Sequence, residues 1–275
     1  MKKLLTLFAS LIFITGLVGC DKTDNTTDPQ QKTIITVGTS PGPYSELFLT
    51  AIKPILEKEG YSIKAVDFSN LRLADIALND GDIDVNVDQH TAYYQDFNTN
   101  TNGDLISITQ IPTVPAGLYA GQKTSLSAVA QGDKVAIPQD PSNAARAYAL
   151  LQKAGWITLK PGTEITKATA NDIANNKYGI DIIEMDSATI PRSLADLAYA
   201  VIPGSVAYAA GVDINGNLLQ EDLLEHLILV ATVKATNKYT PWAKAIVAAY
   251  HSDEFKQYLQ QHNQNHYWFV PESLQ

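Results

Sequence analysis

The sequence predicts an α/β protein of two lobes, and three observations carry that expectation. Short apolar runs bounded by Gly, Pro, Asn and Asp recur at 33–37, 61–68, 134–138, 180–185, 199–202 and 227–233, as strands do. Between many of them lie stretches with apolar residues three and four apart, the helical half of a strand–helix–strand alternation that builds a mostly parallel sheet. The run PAGLYAG at 115–121 reads as the first crossing from one lobe to the other, and 227–233 as the return. Lobe 1 is therefore expected to comprise 34–120 with 227–275, and lobe 2 residues 121–226.

Ahead of the lobes, residues 1–20 have the make-up of an export signal. Lys2 and Lys3 precede an apolar run at 4–18, shorter than the ~20 residues a bilayer-spanning helix needs. It closes on Leu17-Val18-Gly19-Cys20, which resembles the lipobox of bacterial lipoproteins; that resemblance implies a diacylglycerol on the Cys20 thiol and cleavage after Gly19. Cys20 is the only cysteine in 275 residues, so no disulfide supports the fold. Asp21, directly after it, resembles the signal that keeps lipoproteins in the inner membrane of a two-membrane cell, facing the periplasm. Residues 21–33 are polar and without period, a flexible tether spanning ~20 Å on average. A net charge of −9 argues against nucleic acid and against a basic membrane-binding face.

In lobe 1 the first strand runs into Gly38-Thr39-Ser40-Pro41-Gly42-Pro43. Gly38-x-Ser40-x-Gly42 has the spacing of a hydrolase nucleophile elbow, but the residue after the serine must give a backbone N–H, and Pro41 has none. The stretch reads instead as a turn into a helix capped at Ser45, with Leu47, Phe48, Ala51, Ile52, Ile55 and Leu56 buried and a kink at Pro54. The lobe is organised around residues 75–94. After a short helix and a turn at Asn79-Asp80-Gly81, the chain alternates: Ile83, Val85 and Val87 on one side, Asp82, Asp84, Asn86 and Asp88 on the other. That second side is expected to be a solvated face. The spacing of the acids has a superficial likeness to a calcium loop, yet its sixth position, Val85 or Val87, lacks the required glycine. The strand ends in His90, with Tyr93 and Tyr94 following, where an open α/β sheet places its binding mouth.

In lobe 2, Asp140 caps a helix that has Pro141 at its first position. Arg146 is one of only three arginines in the chain. It lies one turn into this helix, on the same face as Asn143. A helix start, an amide and a guanidinium fork suit a carboxylate or phosphate; the alternative is a surface arginine with its stem on an apolar helix. Further expectations are a threonine-capped helix at 163–174, a helix start at Pro191, a turn at Pro203-Gly204-Ser205, and one amphipathic helix at 241–260. His262 and His266 are four apart, but without HExxH they read as a polar helix end, and no metal is expected.

The segments VGTSPGPYSE, ALNDGDIDVNVDQHTAYYQ, VAIPQDPSNAARAYALLQKAGW, IPRSLADLAYAVI and YHSDEFKQYL, in this order, resemble the NlpA family, the methionine-binding lipoproteins of the methionine ABC importer. The resemblance implies a two-lobed periplasmic-binding-protein fold, type II-like, with the ligand cleft between lobes and two hinge crossings. It also implies binding rather than catalysis, no cofactor, and three partners: a free amino acid, the importer's transmembrane subunits with their ATPase, and a membrane reached through the lipid anchor. His90, Asn143 and Arg146 would hold the amino acid's polar head and Tyr93 would line its side-chain pocket. Three positions depart from the family pattern. Asp88 replaces an aromatic, Leu71 a tyrosine, and Pro203 an asparagine, with Ser205 the nearest polar substitute. Methionine is the expected ligand; a different polar or cationic amino acid or short peptide is the alternative, and a secreted hydrolase using Ser40 a remote one. A cleft-facing Asp88 must meet a donor, since an unpartnered buried carboxylate costs several kcal/mol.

Overall fold

The computed structural model describes residues 32–263 and 266–275; the export signal, Cys20 and residues 21–31 of the tether lie outside the described residues. The last two tether residues belong to the body. The Thr33 carbonyl accepts a hydrogen bond from Ser62 N at 2.7 Å, and Lys32 pairs with Asp84.

The chain enters through β1 (Ile34–Thr39) and turns into α1 (Pro43–Leu47). The helix starts before Ser45 and is not capped by it; the Ser45 hydroxyl is turned to Asp88 instead. One π-helical turn leads into α2 (Lys53–Lys58), and Lys53 N–H reaches back to the Phe48 carbonyl. This widened turn is how the helix accommodates Pro54, which has no N–H to give. After β2 (Ser62–Asp67) comes α3 (Leu71–Asp80), capped by Asn70 and ended by Gly81 at φ 86°. Then follow β3 (Val85–His90), α4 (Thr91–Thr101) and β4 (Leu105–Gln110).

The second part runs β5 (Gly117–Ala120), β6 (Lys134–Pro138), α5 (Pro141–Lys153), β7 (Ile157–Leu159), β8 (Ile173–Asn176) and β9 (Asp181–Met185). It continues as α6 (Ile190–Ser193), β10 (Tyr199–Ile202), α7 (Gly204–Ala209) and β11 (Leu219–Gln220). The chain then returns as β12 (Leu229–Lys234) and closes with α8 (Pro241–His251) and α9 (Asp253–His262).

Two five-stranded sheets result, β2-β1-β3-β12-β4 and β11-β5-β10-β6-β9, each with its own buried core. β1 is parallel to β2 and β3, and β6 to β9 and β10, while β12 and β5 run antiparallel to their neighbours. β5, expected at the end of lobe 1, pairs in the second sheet, so the first crossing lies between Gln110 and Gly117.

Other expectations need correction. The second side of β3 is not a solvated face throughout: Asp84 and Asn86 are buried, and only Asp80 and Asp82 are exposed. A central strand of such a sheet is covered on both faces. Asp84 is satisfied by Lys32 and by Thr36 N at 2.7 Å, and Asn86 donates to the Gly38 carbonyl at 3.2 Å. Residues 163–174 form two 3₁₀ turns and the start of β8 rather than a helix. There Thr169 and Asp172 bond each other's backbone in a capping box only one turn long. The closing helix breaks at Ser252, which is extended, ends α8 and caps α9 through its hydroxyl. His262 stacks on Tyr258 at 4.0 Å, and no metal-binding group of His, Cys, Asp or Glu occurs among the described residues.

Gly204 opens α7 against the first crossing. A Cβ there would lie 2.5 Å from the Val114 side chain and 2.6 and 2.7 Å from the Val114 and Pro115 carbonyl oxygens. Gly204→Ala is therefore expected to cost about 1–3 kcal/mol, as overpacking does. A urea melt indistinguishable from the wild type would mean that the crossing yields freely.

Candidate functional site

Between the sheets lies a cleft of about 790 Å³. The end of β3 and the starts of α1, α3 and α4 form one wall; the starts of α5 and α7 belong to the other. Leu71, Asp88, His90 and Tyr93 line it from the first side, and Asn143, Arg146 and Ser205 from the second. All seven residues singled out in the body of the chain therefore face one space. Pro203 lines it too, and Ser205 sits within the first turn of α7.

His90 is the N-cap of α4. Its Nδ1 accepts from Tyr93 N at 3.1 Å, which leaves the proton on Nε2. Nε2 then points across the cleft to Asn143 Oδ1 at 3.3 Å. Burial, reinforced by the Arg146 charge, pushes the imidazole down to about 3, so His90 is a neutral donor. Tyr93 stands edge-on to it, with ring centres 6.2 Å apart.

Asn143 sits in the first turn of α5, whose N-cap is Asp140. The Asp140 carboxylate accepts from Asn143 N at 3.0 Å and from its Nδ2 at 2.9 Å. The helix start is therefore already capped. Arg146 is likewise engaged: Nε bonds Glu221 Oε2 at 2.5 Å, and NH2 pairs with Oε1. Burial works against its charge, but Glu221 outweighs it and holds the guanidinium above its usual range. This corrects the picture of an open anion site. The pair is neutral as a unit, and NH1, 3.4 Å from Asn143 Oδ1, is the guanidinium nitrogen that Glu221 does not engage.

Glu221 was not legible in the sequence. It lies on the second crossing, and its Oε1 also accepts from Ala116 N, on the first, at 2.6 Å; its own N–H bonds the Ala116 carbonyl at 3.1 Å. One buried carboxylate thus ties both crossings to α5. Arg72 and Arg192 were missed as well. Both are exposed, both line the cleft, and neither forms an ion pair among the described residues. The rarity of arginine, applied to all three residues rather than one, points to them.

Asp88 faces the cleft, half-buried. Its Oδ2 accepts from Ser40 N at 2.9 Å and from the Ser40 and Ser45 hydroxyls at 2.8 Å each. Burial pushes the carboxyl up to about 6, and the two serines only partly offset it. Ser40 is thus a donor to Asp88. On the far face of β3, Gln89 Nε2 bonds Asp75 Oδ1 at 2.5 Å, deep inside the lobe.

The family model described as NlpA lipoprotein matches residues 35–270. The D-methionine-binding lipoprotein MetQ of Salmonella typhi is 31% identical over 248 residues, covering 89% of each chain. The structure of a nutrient-binding protein from Burkholderia cenocepacia bound to methionine aligns with TM-score 0.80 and 35% identity, covering 86% of this chain and 99% of that one. Lipoprotein Tp32 of Treponema pallidum aligns with TM-score 0.81 and 29% identity, covering 88% and 100%. Two α/β lobes with a cleft between them, together with relatives and structural neighbours that are binding proteins, define a substrate-binding protein rather than an enzyme. The chain belongs to the NlpA lipoprotein family.

Proposed function

We propose that this protein is the lipid-anchored receptor of an ABC importer. It takes up a free amino acid, methionine in the first place, in the cleft and presents it to the importer's transmembrane subunits and their ATPase. The observation that carries the reading is the hydrogen bond from His90 to Asn143, which joins groups from the two lobes inside one cleft. The names of the relatives and the methionine held by the Burkholderia cenocepacia protein support it.

In this reading His90 Nε2, Asn143 and Arg146 NH1 take the ligand's polar head, while Tyr93 and Leu71 wall its side chain and Ser205 closes the site from α7. The lobes are 34–110 with 229–275, and 117–220, hinged at 111–116 and 221–228. Because each lobe gives part of the contacts, ligand favours closure. Calorimetry of the full chain in detergent tests the reading: L-methionine binds, and His90→Ala weakens it by tenfold or more, about 1.4 kcal/mol. Heat-silent titrations with methionine and every other amino acid would sink it.

The anchor is the Cys20 thiol, and in a two-membrane cell Asp21 directs retention in the inner membrane. No helix among the described residues is long and apolar enough to cross a membrane. Cys20→Ala should abolish incorporation of labelled palmitate and move the protein to the soluble fraction. Unchanged membrane association would remove Cys20 from that role.

A further inference from the structure

We propose that Asp88, with the hydroxyls of Ser40 and Ser45, forms the seat for a cationic amine group of the bound ligand. The inference rests on the amino-acid reading above and names the chemistry of one end of that ligand. Asp88 and His90 are two residues apart on β3, so their side chains leave the same face about 7 Å apart. A ligand whose head rests against His90 and Asn143 therefore has Asp88 within reach along the cleft.

The carboxylate is not fully used by the protein. Oδ2 takes the Ser40 N–H and the Ser40 hydroxyl, leaving Oδ1 only the Ser45 hydroxyl at 3.0 Å. That hydroxyl also lies 2.8 Å from Oδ2, and it has one proton to share. Oδ1 thus keeps acceptor capacity, on a residue that lines the cleft. Asp88 has no ion pair among the described residues: of the three arginines that line the cleft, Arg146 is matched by Glu221, and Arg72 and Arg192 are exposed and form no ion pair with it. The ionisable groups around it are Tyr44 of α1, Tyr250 of α8, Asp75 of α3 and His90 of its own strand. Both tyrosine pKa values are raised, and His90 is neutral. A carboxylate that is partly desolvated and uncompensated favours a ligand that brings the positive charge. The amine has two sources, the ligand's α-ammonium or an amine on its side chain.

Calorimetry of the full-length protein in detergent at pH 7.5 separates them, with methionine, methionine lacking its amino group, and lysine as probes, on wild type and Asp88→Asn. Asp88→Asn is expected to weaken the tightest probe by about 30-fold or more. With the α-ammonium at Asp88, that probe is methionine, and the amine-free analogue binds both proteins equally poorly. With a side-chain amine there, lysine is preferred by the wild type and loses its preference in the variant. Equal affinities and equal ranking in both proteins would overturn the proposal and leave Asp88 as a tie between β3 and the Ser40 turn. No binding of methionine or lysine to the wild type would overturn the proposal, whereas the amino-acid reading falls only if every amino acid is silent. Carbon-detected NMR of the Asp88 carboxyl in the wild type needs no variant. Its titration midpoint should fall by a unit or more when the tightest probe saturates the cleft, and an unmoved midpoint would overturn the proposal.

Discussion

Glu221→Ala will destabilise the protein by about 3–5 kcal/mol, because it leaves the buried Arg146 guanidinium without its carboxylate. It also removes the acceptor of Ala116 N, which links the two crossings. The loss should show as a lowered urea midpoint in equilibrium unfolding. Removing the charge from both sides, Arg146→Met with Glu221→Gln, should recover most of that stability, since the glutamine can still accept from Ala116. Ligand binding should stay impaired in the double variant, because the NH1 donor is gone. Destabilisation by Glu221→Ala of less than about 1 kcal/mol, typical of an exposed pair, would contradict the picture of a buried clamp.

Asp75→Asn is expected to act in the opposite direction. Asp75 is fully buried, and burial pushes its carboxyl up to about 7 despite the hydrogen bond from Gln89 and a small help from Arg72. Its Oδ2 and the Oε1 of Gln89 are both acceptors that find no protein donor. An asparagine keeps the bond to Gln89 Nε2 and offers an N–H to Oε1. The sign follows from proton uptake. Between the ordinary carboxylate value near 3.8 and about 7 the folded state holds the proton more tightly than the unfolded one, so wild-type stability falls as pH rises through this window. The penalty is fully present above about 7. Asp75→Asn should therefore gain on the order of 3 kcal/mol at pH 8, and the gain should shrink toward zero by about pH 4. Asp88, raised for the same cause, leaves a smaller residual slope in the variant. Urea unfolding at several pH values measures both; a pH-independent difference between the two proteins would contradict the account.

Local signals carried most of the fold. Alternation and turn residues placed β2, β3, β9 and β10, and Asp140-Pro141 marked the start of α5 within a residue. Long-range partners were not legible. Nothing local to Asp84 or Asn86 says that β3 is central and covered on both faces, so alternation alone suggests a wet edge. β5 reads as a strand, yet which sheet it joins is decided by pairing with Tyr199–Ile202, some 80 residues on. The same limit hid Glu221, 75 residues from Arg146 in sequence. Local bonding also defeated periodicity: the Thr169–Asp172 box and the extended Ser252 interrupt patterns that otherwise look helical. The cleft was more legible than the packing, because Asp88, His90 and Tyr93 follow one strand end and Asn143 and Arg146 share one helix face. What those groups already hold, above all Asp140 and Glu221, appeared only in three dimensions.

The most direct measurement is native mass spectrometry of the full-length protein, purified in detergent without denaturation, beside Asn143→Ala. The account predicts one bound amino acid per chain in the wild type, identifiable after unfolding and largely lost from the variant. A wild-type chain that carries no small molecule, and that acquires none when each of the amino acids is added, would contradict it.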